Sequence, residues 1–378
     1  MSQDGSPVDA PVRVLHVLAG AGVGGTERQL LLLLPRLAGL IDTRLVIIRG
    51  GRLAADFARA VPTELIPKHG KVDPVFLARL VAAVRRQAPD VLQTWGTTAN
   101  VWGAAAARLA GVPHLVVTEG ALDEWKGRLH RRVDARVYRW ADRVVTNSAA
   151  VRSFLAVGNG GTRFEVIPNG VVVPAEVGRG ERVAGQVVYL GRLHPVKGAD
   201  LLVEAMPSVL RAVPNARCRL AGPAEQPVER EFAGSLRARV AELGLTERIE
   251  FVGPVSDPTG LLGAAAVVVV PSRSEGSPNV VYEAMAQAAP LVATAVGGTA
   301  ELLAHGETGL LVRPGDPQEL AAAIVACLTD PRAATARAQS ARAMAAAKFD
   351  IDVVAGLWAA LYRDVTAVPS ASIPGAGP

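Results

Sequence analysis

Residues 187–199 run Val187-Val188-Tyr189-Leu190-Gly191-Arg192-Leu193-His194-Pro195-Val196-Lys197-Gly198-Ala199. A short apolar, β-branched run ends at a glycine, a loop with two cations follows, and a helical pattern opens at about Ala199, which reads as strand, turn and crossover helix. The same unit recurs in both directions along the chain. Apolar runs at 12–18, 44–48, 91–94, 114–118 and 143–146 precede it, separated by amphipathic stretches such as 26–37 and 74–87. Runs at 217–220, 249–252, 267–270 and 291–294 follow it. This alternation predicts an α/β fold built from parallel sheets with crossover helices. At 378 residues the chain exceeds what one core usually serves, so two domains are expected.

Pro168-Asn169-Gly170 and the polar stretch after it mark the division. The expected organisation is a Rossmann-like first domain over 11–170, a linker over 171–182 and a second domain over 183–350. A last helix, 351–365, is expected to pack back on the first domain. The ends, 1–10 and 367–378, are rich in Pro, Gly, Ser and Ala and read as disordered tails. The first residues lack the basic flank and apolar core of a signal peptide, and the longest apolar run, 261–270, is short of the roughly 20 residues of a membrane span. A cytoplasmic protein is the expectation. Cys218 and Cys327 lack C-x-x-C spacing and read as reduced thiols. Charge is uneven: residues 1–180 carry 23 Lys and Arg against 15 Asp and Glu, and residues 181–378 carry 17 against 20. The basic first half is suited to an anionic surface or acceptor.

Two loops invite phosphate. After the first strand, Gly20-Ala21-Gly22-Val23-Gly24-Gly25 satisfies G-x-G-x-x-G and opens a helix at Thr26. That loop alone fits an NADP-dependent oxidoreductase, with Arg49 or Arg52 for a 2′-phosphate, although none of the four tyrosines has a lysine four residues later. In the second half, Arg192 and Lys197 sit between a strand's carboxyl end and a helix's amino end, where open α/β sheets bind ligands. Two cations there can neutralise a diphosphate without a metal.

Further on, Pro271-Ser272-Arg273-Ser274-Glu275-Gly276-Ser277-Pro278-Asn279-Val280-Val281-Tyr282-Glu283 follows a buried strand. Glu275 lies in the loop, and Glu283 lies about one turn beyond Asn279, the expected start of the next helix. An ionised carboxylate accepts two hydrogen bonds from vicinal hydroxyls, so the pair suits a ribose and a hexose. Two glutamates also fit a glycoside hydrolase, which would need no adjacent phosphate clamp. The D-x-D triplet Asp350-Ile351-Asp352 precedes the final helix and reads as a cap, so no metal is expected.

Taken in order, Gly191-Arg192-Leu193 with Lys197-Gly198, Glu275 and Glu283 in an E-x(7)-E frame, Gly297-Gly298, and Gly306 with Gly309, Leu311 and Val312 resemble the family-four retaining glycosyltransferases, also described as glycosyl transferases group 1. Gly24-Gly25-Thr26-Glu27 is similar to that family's G-G-x-E loop. The resemblance implies the GT-B fold, two Rossmann-like domains whose sheets face a central cleft, and transfer of a sugar from a UDP- or GDP-linked donor with retention and without cofactor. It implies that Arg192 and Lys197 hold the diphosphate, Glu275 the transferred sugar and Glu283 the ribose. It also places Gly24, Gly25, Asn279 and Val280 near phosphate or sugar and Gly253 near the base. Catalysis would then be positioning and stabilisation of the departing diphosphate, whose oxygen takes the acceptor's proton. Acceptor-side candidates are Glu27, Thr98 and Glu119; Thr98 stands where relatives often carry a histidine.

Residues 126–143 hold seven basic side chains, from Lys126 to Arg143, with Leu129, Val133, Val137 and Trp140 at helical spacing. The pattern predicts an apolar stripe and a cationic face that could meet anionic lipid or a diphosphate-linked acceptor, giving peripheral attachment at an inner membrane face. No nucleic-acid partner is indicated. A nucleotide-sugar epimerase and a catalytically silent GT-B binding protein remain alternatives to a transferase acting on a glycan or lipid-linked glycan.

Overall fold

The computed structural model describes residues 11–123, 126–176 and 182–368. The tail at 1–10, residues 369–378 and linker residues 177–181 lie outside the described residues. The chain divides into two compact units: Met1–Thr146, Arg152–Ile167 and Val354–Pro378 form one, and Asn147–Val151 with Pro168–Val353 the other.

The first unit carries a seven-stranded sheet: β1 (Arg13–Leu18), β2 (Asp42–Ile47), β3 (Thr63–Leu65), β4 (Val91–Trp95), β5 (His114–Glu119), β6 (Arg143–Thr146) and β7 (Phe164–Val166). The order is β3-β2-β1-β4-β5-β6-β7, parallel throughout. The second unit has six parallel strands: β8 (Gln186–Leu190), β9 (Arg217–Ala221), β10 (Ile249–Gly253), β11 (Val267–Val270), β12 (Leu291–Thr294) and β13 (Leu310–Val312), in the order β10-β9-β8-β11-β12-β13. Helices occupy the crossovers. The four valines of β11 are all buried, as expected of a central parallel strand covered on both faces.

Strand order reverses between β1 and β4 and again between β8 and β11. At such a point the two outgoing chains turn to opposite faces and leave a crevice at the strand carboxyl ends. The glycine loop follows β1 and Thr98 follows β4; Arg192 and Lys197 follow β8 and Glu275 follows β11. The topology thereby gathers these residues of each unit at that unit's own switch point, while Glu119 ends β5 and Gly253 ends the edge strand β10.

The last helix, Ile351–Ala367, extends one residue into the expected tail. Its Trp358 and Tyr362 pack within the first unit: Trp358 lies 5.1 Å from the Trp95 ring, and Tyr362 meets His16 edge-on at 6.1 Å. Burial pushes His16 down to about 3, so its ring is neutral and Nδ1 accepts the Trp95 indole N–H at 3.0 Å. Asp350 Oδ1 accepts the Asp352 N–H at 3.0 Å, the contact of a capping residue. Val171, placed in the linker by the sequence, is buried in the second unit's core and donates its N–H to the Phe349 carbonyl at 2.8 Å.

Candidate functional site

In the second unit, β8 delivers Gly191 and Arg192 to the sheet's carboxyl edge. A short 3-10 turn, Pro195–Lys197, capped by the His194 ring, then carries Lys197 to the start of the helix Ala199–Ala212. Gly198 joins the two with φ +69°, and a β-carbon on it would lie 1.9 Å from the Pro271 carbonyl oxygen. Only glycine therefore lets the loop after β8 lie against the loop after β11. Arg273 ties the same loops from the other side: its guanidinium donates to both Asp200 oxygens at 2.8 and 2.6 Å and to the Pro195 carbonyl at 2.7 Å.

The consequence is direct contact between two residues 78 positions apart. Lys197 Nζ donates to Glu275 Oε1 at 2.7 Å and Oε2 at 2.8 Å. Glu275 is 8% exposed, and Oε1 also accepts the Ser272 hydroxyl at 2.7 Å. Lys197 keeps a quarter of its side chain in solvent. Arg192 has its own counter-ion, Glu229, with Nη1 to Oε1 at 2.9 Å. Arg192 and Lys197 are thus each paired with a carboxylate of their own.

The helix after β11, Asn279–Ala286, carries the remaining candidates. Asn169 Nδ2 donates to the Asn279 side-chain oxygen at 2.7 Å and to the Ser277 carbonyl at 3.2 Å, fixing the helix start. Val280 and Glu283 are half-buried. Gly253 ends β10 with φ +80° and open space where a β-carbon would stand. Ser272, Glu229 and Asn169 had no role at the site in the sequence reading. The first lay in view beside Glu275; the other two are named by contacts between distant loops.

In the first unit, the helix Gly25–Leu37 opens one residue earlier than expected, with Gly24 as its cap. Glu27 folds back over this loop so closely that a β-carbon on Gly24 would lie 2.3 Å from its Oε2. Thr98 sits half-buried in the first turn of the helix Thr97–Ala110. Glu119 closes β5 and is buried. Its Oε1 accepts the Asn100 side-chain N–H at 2.9 Å and lies 3.5 Å from Lys126 Nζ, which also meets Asp123 at 2.9 Å and Asp134 at 3.0 Å. Burial foremost, with the charges of Asp134 and Asp123 adding, pushes the Glu119 carboxyl up to about 7 against the pull of Lys126.

This cluster corrects the reading of the basic stretch. Lys126 is buried among carboxylates and Arg143 pairs with Asp364 at 2.6 Å, so neither belongs to an open cationic face. The buried side of the helix Arg128–Trp140 carries Asp134, Val137 and Tyr138, whereas Leu129 is 72% exposed and Val133 is exposed beside it. Of the expected stripe, Val137 is buried and Trp140 partly buried, while Leu129 and Val133 face outward because the salt-bridged Asp134 takes a place on the inner side. Arg108 and Arg136 stack on Trp140.

Residues 184–330 match the family described as Glycosyl transferases group 1, and residues 23–173 match Glycosyltransferase Family 4. Over 349 residues the chain is 33% identical to the D-inositol 3-phosphate glycosyltransferase of Acidothermus cellulolyticus, with 82% of this chain and 75% of that one covered. The chain belongs to the group 1 glycosyltransferases. It is also 31% identical over 247 residues to the glycogen synthase of Mycobacterium tuberculosis, covering 62% of this chain and 58% of that one. HepE of Anabaena, solved in complex with UDP, superposes on the glycosyltransferase with a TM-score of 0.83 at 25% identity, over 93% of this chain and 100% of HepE. The architecture is GT-B. The oxidoreductase reading of the glycine loop is overturned, since the relatives are glycosyltransferases. Among the described residues, no helix is long and apolar enough to cross a membrane.

Proposed function

We propose that this glycosyltransferase moves a sugar from a UDP-linked donor to a glycan or lipid-linked acceptor, with retention at the anomeric carbon and without a metal. The observation that carries this reading is the pair of cations at the β8 carboxyl end, each held by a carboxylate. A diphosphate entering there meets a guanidinium fork and an ammonium on the side where a metal would otherwise sit. The Lys197–Glu275 pair has a chemical consequence. A diphosphate oxygen takes over Lys197 as counter-ion, and the Glu275 carboxylate, still steadied by Ser272, turns its lone pairs to the hydroxyls of the transferred sugar. Glu283, one turn into the next helix, takes the ribose hydroxyls. Asn279 and Val280 offer N–H groups at that helix start, and the open ground beside Gly253 receives the base; in the first unit, taken by itself, Gly24 and Gly25 form a loop suited to phosphate or sugar. Glu27, Thr98 and Glu119 belong on the acceptor side.

HepE structures hold UDP, and in another case UDP-glucose, which favours uridine over guanosine as the donor's base. Thermal shift with UDP, GDP and their hexose conjugates tests the proposal: a specific donor raises Tm as it saturates the folded protein. Stabilisation by none of these ligands at millimolar concentration overturns it. We further assign membrane contact to the helix Arg128–Trp140, where exposed Leu129 and Val133 stand among the exposed Arg128, Arg131, Arg132, Arg136 and Arg139. That attachment would keep the enzyme at the inner membrane face.

A further inference from the structure

Glu229 is an acidic residue with its side chain 2% exposed, a state carboxylates rarely occupy unless every oxygen is engaged. In this case both are. Oε2 accepts the N–H groups of Glu225 at 2.9 Å and Gln226 at 3.1 Å, closing the amino end of the helix Pro227–Glu242, of which Glu229 is the third residue, in a capping box with Gln226. Oε1 accepts Arg192 Nη1 at 2.9 Å. Glutamine serves equally well at that position of a capping box, so the helix does not need the full negative charge.

Arg192 is pinned from the backbone as well. The buried Tyr189 hydroxyl donates to the Arg192 carbonyl at 2.8 Å. Gly222, with φ +147°, lets the chain leaving β9 approach so closely that a β-carbon would lie 1.8 Å from the Gly191 carbonyl oxygen. With main chain and Nη1 both fixed, the side chain still stands 47% exposed. The guanidinium is therefore held at one nitrogen and offered at its other edge.

We propose that Glu229 is a positioning residue for the donor diphosphate, acting through Arg192: it sets the guanidinium plane in advance so that the free edge receives phosphate oxygens as a fork. This rests on the reading that Arg192 binds the diphosphate. Burial works against the Glu229 charge, but the Gln226 and Glu225 N–H groups and the Arg192 guanidinium outweigh it and hold the carboxyl below its ordinary value, so the anion persists at neutral pH. A carboxylate beside an anionic ligand also repels it, and the two effects have opposite signs. Pre-orientation wins here because an arginine ordered before binding loses no rotamer freedom on binding.

Calorimetric titration of UDP into wild type, E229Q, R192A and the double variant decides between them. E229Q keeps the helix cap and loses the arginine contact; it is expected to weaken UDP about tenfold, with Tm close to wild type, and to cost nothing further in the R192A background. E229D retains the charge but shortens the reach, and is expected to weaken UDP likewise; it supplies the same comparison if E229Q does not fold. Tighter or unchanged UDP binding by the Glu229 variant overturns the positioning role, as does a loss of the same size with and without Arg192. If R192A itself binds UDP like wild type, the diphosphate clamp fails and the positioning role falls with it; if R192A is weakened yet the Glu229 effect adds to it in full, only the positioning role fails.

Discussion

At Glu275 the described chain shows a carboxylate bound at both oxygens by Lys197, while Glu283 sits on the following helix, and this separates what their removal does. Glu283→Ala is expected to weaken UDP and UDP-sugar alike, because the ribose is common to both. Glu275→Ala is expected to weaken the intact donor or slow transfer while leaving UDP nearly unchanged, since UDP carries no sugar. Charged hydrogen bonds contribute about 1.5–3 kcal/mol, so the losses should be roughly tenfold or more, and calorimetry of both variants with both ligands reads them. Equal losses for both ligands in both variants reject the assignment. Glu119 yields a second prediction. Its folded carboxyl is raised to about 7 from an ordinary 4.5, so between those values the folded protein binds a proton that the unfolded chain has released. Stability contributed by the neutral carboxyl is present below that window and falls as pH rises through it, by up to about 3 kcal/mol. E119Q should flatten that slope in thermal melts between pH 5 and pH 8; an identical slope in both proteins would exclude Glu119 as its source. These residues were legible from the sequence to different degrees. Lys197, Glu275 and Glu283 stood out by spacing, whereas the Lys197–Glu275 contact and the burial of Glu119 against Asn100 and Lys126 depend on side chains from separate loops meeting.

Among the elements, the long strands announced themselves as apolar runs and came within two residues of their observed limits. The sequence reading missed β3, β7 and β13, each three residues long. All three are outer strands of their sheets and are only partly buried, so their side chains carry little period-two signal. The helix Arg128–Trp140 was found, but its buried face was misjudged because the apolar spacing overrode the buried Asp134. Its corrected outer face predicts that R131E with R132E will lower sedimentation with vesicles containing anionic lipid while leaving UDP affinity unchanged; undiminished sedimentation excludes this helix as the contact. Loop geometry supplies another prediction. Gly198→Ala sets a left-handed residue and a backbone collision between the two loops that carry Lys197 and Glu275. A strained position of this kind costs about 1–3 kcal/mol. Melting should drop by several degrees and transfer should fall with it, and an alanine variant with unaltered Tm would show that the loops can part without penalty.

For the whole molecule, α/β alternation, two domains and a transferase were readable from pattern and motif order, because parallel sheets at switch points place strand-end loops predictably. Placement of Val171 in the second unit's core was not, since no local pattern says that the Phe349 carbonyl receives its N–H. If cations of the protein stabilise the leaving diphosphate, transfer should persist after exhaustive chelation with EDTA; loss of turnover rescued by magnesium or manganese would reject that mechanism. The first unit's sheet ends at Val166, yet Trp358 and Tyr362, which lie against Trp95 and His16, come from a helix that follows the whole second unit in the chain. A ribosome that has delivered the whole first sheet still leaves those rings uncovered, so the nascent domain carries an apolar scar until the helix Ile351–Ala367 has emerged. Any chaperone that binds apolar surface would therefore find the first domain open to it for as long as the second unit is being made.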